Sequence, residues 1–220
     1  AVAVKTKAAK PADFTGVIVD TTVAEKDVAF PTDAKLIHKA RDRLVSQAKR
    51  AGIKLRQSYT RVGKRALIQH QRYAHAKQYK RARRQLRKLK TYLRRTIRDI
   101  ERKIEGDEVL GAVFAVPLIK AGQIRGQKQR QRGWKLYSWH APETECIGKG
   151  KARTPYEFGV KVSLTTTNKR CKGGQFILHA KALPGNPYDG HTLKEVIAET
   201  EALTGREIER TYVDRGYVGH

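Results

Sequence analysis

The most constraining feature of this sequence is a strongly basic segment, residues 61–105, which contains seventeen Lys or Arg residues and three acidic ones. Apolar residues recur there every three or four positions from Tyr79 to Ile104, and this spacing lines one side of an α-helix. Gly106 stands where such a helix would end. Because like charges on successive turns destabilise an isolated helix, this density of cations indicates a bound polyanion.

A second helix is predicted upstream of the basic segment. Thr32 or Asp33 can cap its start, apolar residues repeat from Leu36 onwards, and Gly52 ends the pattern. The two helices are expected to pair as a hairpin. Residues 53–59 have no clear period, and residues 61–79 are helical by composition but weaker in pattern, so their geometry stays open.

The whole chain of 220 residues has a formal net charge of +26 and is 39% hydrophobic, which is enough for a buried core and argues against a wholly disordered basic tail. Apolar stretches such as Gly111 to Ile119 are shorter than a membrane span, and the first residues lack the apolar run of an export signal. We therefore expect a cytoplasmic protein with a polyanionic partner and no membrane contact.

Strand patterns lie on both sides of the helical segments. A β-branched run occupies residues 16–23, and residues 156–167 alternate before a turn-rich link into a second apolar run at 175–180. A helix is predicted over residues 192–203, stopped by Gly205, and a last strand over 207–213. This order predicts an α/β fold with a long basic helical insertion after the first strand.

Two aspartates, Asp20 and Asp214, stand in matching settings at the polar ends of the first and last apolar runs. If these two strands are parallel neighbours, the two carboxyl groups lie side by side. Metal-dependent phosphoryl transfer needs carboxylates from separate elements converging on cations. A single aspartate in such a place more often caps a strand or turn, and two together favour the metal hypothesis modestly.

Four separated blocks carry a resemblance to a known family. The first is Val17 to Thr22, followed by Glu25-Lys26 and Phe30-Pro-Thr-Asp33, and the others are Tyr156-Glu-Phe-Gly-Val-Lys161, Gly185-Asn-Pro-Tyr-Asp-Gly-His-Thr-Leu193 and Asp214-Arg-Gly-Tyr217. With these blocks in this order, nearly the whole chain resembles the DDE transposases of bacterial insertion sequences, in the insertion-sequence-five-like group.

The resemblance implies a ribonuclease H-like mixed sheet in which the first strand carries one catalytic aspartate, Asp20, and the fourth delivers the second, Asp214. It also implies two Mg²⁺ ions in the intact enzyme, which cleaves phosphodiesters at transposon ends and joins the freed 3′-hydroxyl to target DNA. The family's third acid, a glutamate on a later helix, has no counterpart here, so no third catalytic residue is assigned. We therefore expect a chain truncated at both ends, with a core incomplete at its C-terminus.

The expected organisation has three parts: residues 1–31 with the first strand, residues 32–106 as the basic helical hairpin, and residues 107–220 as the rest of the core. Asp189 and His191 lie in the third block, just before the helix predicted over residues 192–203. We prefer to explain this block by capping of that helix, either by Asp189 or by Thr192, with Thr192 to Glu195 as a capping box. We expect the partner to be DNA, both transposon ends and target DNA. We also expect association with a bacterial nucleoid, and a homodimer is a possible assembly. The residues predicted to bind DNA are Lys80, Arg81, Arg83, Arg84, Arg87, Lys88, Lys90, Arg94, Arg95 and Arg98.

Two alternatives stay open at this point. Composition alone would equally suit a basic RNA-binding or DNA-binding protein without catalysis, for which two acids at strand ends have no purpose. A ribonuclease H-like nuclease acting on RNA or on branched DNA is the second alternative, and only substrate assays separate it from a transposase.

Overall fold

The computed structural model describes residues 2–129, 131–150 and 152–218, which form a mixed α/β structure. They divide into two compact units, Ala1–Asp27 with Glu143–His220, and Val28–Pro142. The first unit contains the sheet and the second contains four of the helices. The helices are α1 Val2–Lys5, α2 Asp33–Arg50, α3 Thr60–His75, α4 Tyr79–Ile104, α5 Glu108–Gly126 and α6 Asp189–Thr204; the strands are β1 Gly16–Glu25, β2 Glu145–Gly148, β3 Tyr156–Thr167, β4 Ile177–Ala182 and β5 Arg210–Tyr212.

The five strands form one mixed sheet in the order β2-β3-β1-β5, and β4 pairs with β3 as well. β1 is antiparallel to β3 along its whole length from Val17 to Glu25 and parallel to β5 at its start. β3 and β4 are antiparallel, so the predicted strands at residues 16–23 and 156–167 and the predicted antiparallel pair are confirmed. β2 was not predicted, because its four residues carry too short a pattern and form a strand by pairing with β3.

The core of the sheet unit lies between β1 and α6. Val17 and Val19 alternate with less buried neighbours and pack with Val196 of α6 and with Tyr217, all four of them buried. Gly159 of β3 lies where β1 approaches closest: a Cβ built there would be 2.2 Å from the carbonyl oxygen of Ala24. The absence of a side chain at this position therefore allows the pairing of β1 with β3.

The helical unit has its own core, to which α2, α3, α4 and α5 all contribute. The predicted cap of α2 is confirmed, since the hydroxyl of Thr32 accepts a hydrogen bond from the backbone N–H of Lys35 at 3.3 Å. Arg41 of α2 is almost wholly buried, and its guanidinium donates to the carbonyl oxygen of Ser58 at 2.9 Å and to Asp42. Arg41 thus ties α2 to the segment that precedes α3.

The two helices predicted to pair within residues 32–106, α2 and α4, pack on each other, and α3 and α5 pack beside them. The basic segment contains two helices, separated at Ala76 to Gln78, where Lys77 adopts a left-handed φ of 57°. The compact helical unit continues past residue 106 to Pro142, because α5 turns back and packs on α2 and α4. The expected boundaries at residues 31 and 106 therefore differ from the division in the structure.

α5 carries apolar side chains on its exposed side as well as on its buried side. Phe114, Ala121 and Ile124 are buried in the helical core, whereas Val109 and Ile119 are largely exposed. By length and composition, α5 is the one helix among the described residues that could cross a membrane, and one such helix is weak evidence for a span. The described part of the chain lacks the several apolar helices of a multi-span membrane protein.

Candidate active site and nucleic-acid interface

The pairing of β1 with β5 determines where the two predicted catalytic aspartates lie. Ile18 and Tyr212 are Cα partners in this parallel pairing. Asp20 and Asp214 each follow their partner by two residues, and adjacent strands of a sheet are about 4.8 Å apart. Asp214 follows the end of β5 as expected, but Asp20 lies inside β1, which continues to Glu25 because it stays paired with β3, where Leu164 is the Cα partner of Asp20. The parallel relationship that would bring the two aspartates together is present.

Both carboxyl groups are exposed, and each has one oxygen in a local hydrogen bond. Asp20 Oδ1 accepts from the backbone N–H of Thr21 at 2.7 Å. Asp214 Oδ1 accepts from the N–H of Gly216 at 2.8 Å and caps the short 3₁₀ turn Arg215–Tyr217. These bonds orient the carboxylates and leave capacity on them for another ligand.

The buried hydroxyl of Tyr217 connects these aspartates with a third carboxylate. Its pKa is raised above the ordinary value by burial first, and then by the negative charges of Asp189, Asp20 and Asp214. Three acids from separate segments therefore lie close enough to Tyr217 to act on the charge of its phenol. Asp189 was not predicted as a member of this group, and only its place in the third block could have pointed to it.

Asp189 is held by β3 and does not cap α6 with its side chain. Its Oδ1 lies 2.6 Å from Nζ of Lys161, and Lys161 also donates to the carbonyl oxygen of Pro187 at 2.8 Å. The residue before α6, Tyr188, makes no side-chain cap bond. The prediction that Asp189 caps the helix is therefore wrong, because a lysine 28 positions upstream pairs with it.

The predicted capping box at Thr192 is also wrong. Thr192 lies inside α6 and its hydroxyl donates to the carbonyl oxygen of Asp189 at 2.8 Å. Glu195 pairs with Lys181 of β4 at 2.8 Å, and the ring of His191 lies edge-on to Tyr188. None of these three residues points to catalysis.

The start of α6 packs directly on the segment after Asp214. The hydroxyl of Tyr188 donates to the carbonyl oxygen of Val218 at 3.1 Å. A Cβ built on Gly190 would lie 2.9 Å from the carbonyl oxygen of Tyr217 and 2.8 Å from the Tyr188 ring. The third block, at the start of α6, and the fourth block, which begins at Asp214, are thus in contact. Lys161 of the second block binds Asp189 and so anchors the third block to the sheet.

The donor set fits one magnesium ion better than two. Mg²⁺ prefers hard oxygen ligands and is often held by one or two carboxylates together with water and substrate phosphate, and Asp20 and Asp214 supply two such carboxylates. No group of three or more His, Cys, Asp or Glu side chains suited to a metal occurs within residues 2–129, 131–150 and 152–218. Two carboxylates alone are a poor cage for a second ion.

The predicted DNA-binding residues form an exposed cationic surface on α4. Nine of the ten are exposed, and in the described part of the chain none of the ten forms an ion pair with an acidic side chain. The exception in exposure is Lys90, which is half-buried and donates to the carbonyl oxygen of Gln127 at 3.3 Å. Lys90 therefore stabilises the end of α5. Of the other nine, Arg81 donates to Oε1 of Gln78 at 3.1 Å and lies over the ring of Tyr73.

A second cationic surface lies on α3 and was not assigned to DNA in the sequence. An open cleft of about 410 Å³ runs along this helix. Its lining residues recur every three or four positions, which places them on one face: Arg61, Lys64, Arg65, Ile68, Gln69 and Arg72. The helical period of these cations was the signal that could have identified the surface.

Comparison with known proteins gives one partial relative. A protein of Rhizobium meliloti, described as the uncharacterized protein ORF8 in the nfe locus, is 52% identical over 77 residues, which is 35% of this chain and 37% of that protein. The match thus spans little more than a third of the relative's length. No family model matches the chain, and no solved structure matches it.

Proposed function

We propose that this chain is part of a DDE transposase of the insertion-sequence-five-like group, with a ribonuclease H-like sheet that carries Asp20 and Asp214 as its catalytic pair. The observation that carries the proposal is the parallel register of Ile18 with Tyr212, from which the two aspartates follow at equal distance. A protein that only binds nucleic acid has no use for two exposed acids at neighbouring positions in a chain of net charge +26.

The sheet topology supports the ribonuclease H-like assignment. Leaving out the short β2, the main strands lie in the order β4-β3-β1-β5, and the fourth of them along the chain, β5, is parallel to β1. The four blocks that carry the resemblance also meet in space: β1 pairs with β3, Lys161 of β3 holds Asp189, and α6 packs on the Asp214 segment. This convergence supports the resemblance independently of the sequence match.

Asp20 and Asp214 are the residues that would hold Mg²⁺. When bound, Mg²⁺ supplies a Lewis acid for phosphoryl oxygens and lowers the pKa of a bound water. The chain itself contributes orientation: the N–H groups of Thr21 and Gly216 hold one oxygen of each aspartate, and the ion pair of Lys161 with Asp189 holds the start of α6. The raised pKa of Tyr217 keeps its hydroxyl neutral, so it adds no further negative charge near these carboxylates.

DNA is the proposed partner, bound by the cationic faces of α3 and α4. Each phosphate neutralised by Lys or Arg releases counterions, which gives affinity without sequence readout. With nine exposed cations on α4 free of acidic partners, binding would be strong at low salt and would weaken steeply as salt rises. Association with the nucleoid would follow from this property. A homodimer would align two such surfaces on two transposon ends.

The proposal is tested with the purified chain and a supercoiled plasmid in Mg²⁺ or in EDTA. We expect DNA binding with at most feeble Mg²⁺-dependent nicking, because no third catalytic glutamate is assigned, and we expect Asp20→Asn and Asp214→Ala each to abolish any nicking while binding persists. Robust nicking that survives Asp214→Ala would contradict the proposed catalytic pair. Binding to RNA with a clear preference over DNA of equal charge and length would favour the RNA-binding alternative.

A further inference from the structure

We infer that a cleft between α4 and the loop before α3 is a phosphate clamp, in which Arg56 joins Arg95 and Arg98 on one nucleic-acid backbone phosphate. The inference rests on the proposed function in taking nucleic acid as the ligand. It adds a discrete site to the general cationic surface of α4, and it adds Arg56, which lies outside that helix.

The cleft has a volume of about 290 Å³, room for a phosphate group with its hydration water. Four guanidinium groups line it, and the acidic residue among its lining side chains is Asp99. The walls are completed by Gln57 and by Tyr59, whose ring stacks on Tyr92 with centroids 4.8 Å apart. A concave space with four cations and one anion carries a local charge of about +3, which attracts an anion.

Asp99 is buried and already engaged, so it does not pair with the remaining three arginines. Its Oδ2 accepts from the backbone N–H of Arg56 at 2.7 Å, and its Oδ1 accepts from Nη2 of Arg102 at 3.2 Å. The backbone of the loop and one arginine therefore satisfy the carboxylate. In the described chain, the side chains of Arg56, Arg95 and Arg98 make no ion pair, so three guanidinium groups remain for a ligand.

Asp99 also positions the loop that carries Arg56. By holding the Arg56 backbone it fixes the loop against α4 across 43 positions of sequence. Guanidinium groups bind phosphate through two parallel N–H bonds, and pre-positioned arginines lose little entropy when they do so. The backbone that carries Arg56 is therefore in place on α4 before the ligand arrives.

A phosphate within a nucleic-acid chain suits the cleft better than a free anion. Arg95 and Arg98 belong to both the cleft and the exposed cationic face of α4, so the cleft opens onto that face. From Lys80 to Arg98 this face extends about 27 Å along the helix at 1.5 Å per residue. A polymer of phosphates anchored in the cleft can therefore continue along the helix, whereas a free phosphate gains nothing from the remaining cations.

The test uses the full chain, a fluorescent duplex DNA and matched charge changes. Arg56→Gln is compared with Lys54→Gln, an exposed cation of the same loop outside the cleft. Arg98→Gln is compared with Arg94→Gln, one turn away on α4 and also outside it. All four side chains are exposed, and the bond from Asp99 to the Arg56 backbone does not need the arginine side chain, so the variants are expected to fold, which circular dichroism checks.

We expect each cleft variant to weaken DNA binding about tenfold and each control about two- to threefold, since removing a charge-assisted hydrogen bond costs more than removing a long-range attraction. If the wild type binds DNA and the cleft and control variants lose the same affinity, the clamp is overturned, while DNA binding by α4 still stands. Absence of wild-type DNA binding would overturn the proposed partner itself. Inorganic phosphate is also added, with chloride as the reference, while the side-chain NMR signals of Arg56 and Arg98 are followed. If phosphate shifts these signals more than chloride does, and DNA does not displace the phosphate, the cleft binds a free anion and the clamp is overturned.

Discussion

Ile18 on β1 and Tyr212 on β5 are partners in a parallel pairing, although 194 positions separate them in the sequence. This one pairing brings two aspartates near opposite ends of the chain to equal positions on adjacent segments, because Asp20 and Asp214 each lie two residues further on. Parallel neighbours need a long connection, and here it contains the entire helical unit and the antiparallel strands. The helices proposed to bind DNA therefore lie in the sequence between the two aspartates proposed for catalysis.

The first prediction concerns the titration of Tyr217. Its hydroxyl has a raised pKa, caused by burial and then by Asp189, Asp20 and Asp214. Negative neighbours disfavour the phenolate, so replacing one by a neutral amide favours it. Asp20→Asn and Asp214→Asn should therefore each lower the pKa of Tyr217, while burial keeps it above its ordinary value of 10.0. NMR of ¹³C-labelled tyrosine as a function of pH measures this.

Asp27→Asn is the control, since Asp27 is an exposed aspartate of the same unit that does not act on Tyr217. It should leave the Tyr217 titration unchanged. If Asp20→Asn and Asp214→Asn behave like this control, the two carboxyl groups do not converge on Tyr217, and the proposed catalytic pair loses its structural support.

The second prediction concerns the close approach of β1 and β3. Gly159→Ala places a methyl group 2.2 Å from a backbone oxygen, Ala24 O, and backbone cannot move aside as a flexible side chain can. We expect a loss of about 2 kcal/mol or more in the free energy of unfolding, measured by urea denaturation. Gly148→Ala on β2 meets no atom within 4 Å and should change stability little. Equal stability of the two variants would show that the strands do not approach as described.

The third prediction concerns the acid and alkaline limits of stability in the sheet unit. Lys181 of β4 lies 2.6 Å from Glu199 and 2.8 Å from Glu195 of α6, and Glu199 also contacts His179 at 3.0 Å. The hydrogen bond from Lys181 lowers the pKa of Glu199 below its ordinary 4.5, and bonds to Glu195 and Glu199 raise the pKa of Lys181 above its ordinary 10.5. Lys181 and Glu199 are therefore both charged between these two values.

A lowered carboxylate pKa contributes stability that is complete above pH 4.5 and is lost as pH falls through the folded-state pKa. A raised lysine pKa contributes stability that is complete below pH 10.5 and is lost as pH rises through the folded-state pKa. Glu199→Gln should therefore lower Tm at neutral pH and converge with the wild type in acid. The exposed Glu207→Gln is the control, and its Tm should follow the wild-type pH profile. Parallel profiles for all three proteins would contradict a role for the network.

Elements with a strong local pattern were predictable from the sequence. The apolar stripe of α4, the Thr32 cap of α2 and the alternation of β3 are each determined by residues within a few positions of one another. The equal positions of Asp20 and Asp214 beyond the β1–β5 pairing were also predictable, but only on the condition that the first and last strands were parallel neighbours. That condition depends on contacts across the whole chain.

The remaining elements depend on tertiary contacts that a local pattern cannot contain. α5 includes Gly111, Pro117 and Gly122, all unfavourable for a helix, and it forms because Phe114 and Ile124 bury against α2 and α4. Asp189 looked like a helix cap because Lys161 is distant in sequence. Arg56, proposed for the clamp, had no local signal, since Asp99, which holds its backbone, lies 43 positions away in α4.

The last prediction concerns the exposed cations of α4 as a group. Arg83→Gln, Arg84→Gln, Arg87→Gln and Lys88→Gln combined should reduce DNA affinity by several orders of magnitude at low salt, and should flatten the dependence of log K on log salt by about 0.9 for each phosphate that the variant no longer neutralises. These side chains are exposed and form no ion pair among the described residues, so stability should change little. Fluorescence anisotropy from about 50 to 200 mM salt measures both quantities.

A quadruple variant with the same loss of charge separates direct phosphate binding from overall attraction. Lys5, Lys10, Lys169 and Lys172 are exposed in the sheet unit, and replacing all four by Gln also removes four positive charges. Because Debye screening limits such charges to about 10 Å at 0.1 M salt, this control should weaken binding far less and keep most of the salt slope. If the control loses as much affinity as the α4 variant, net charge and not the α4 surface determines binding, and the assignment of that helix to DNA is wrong.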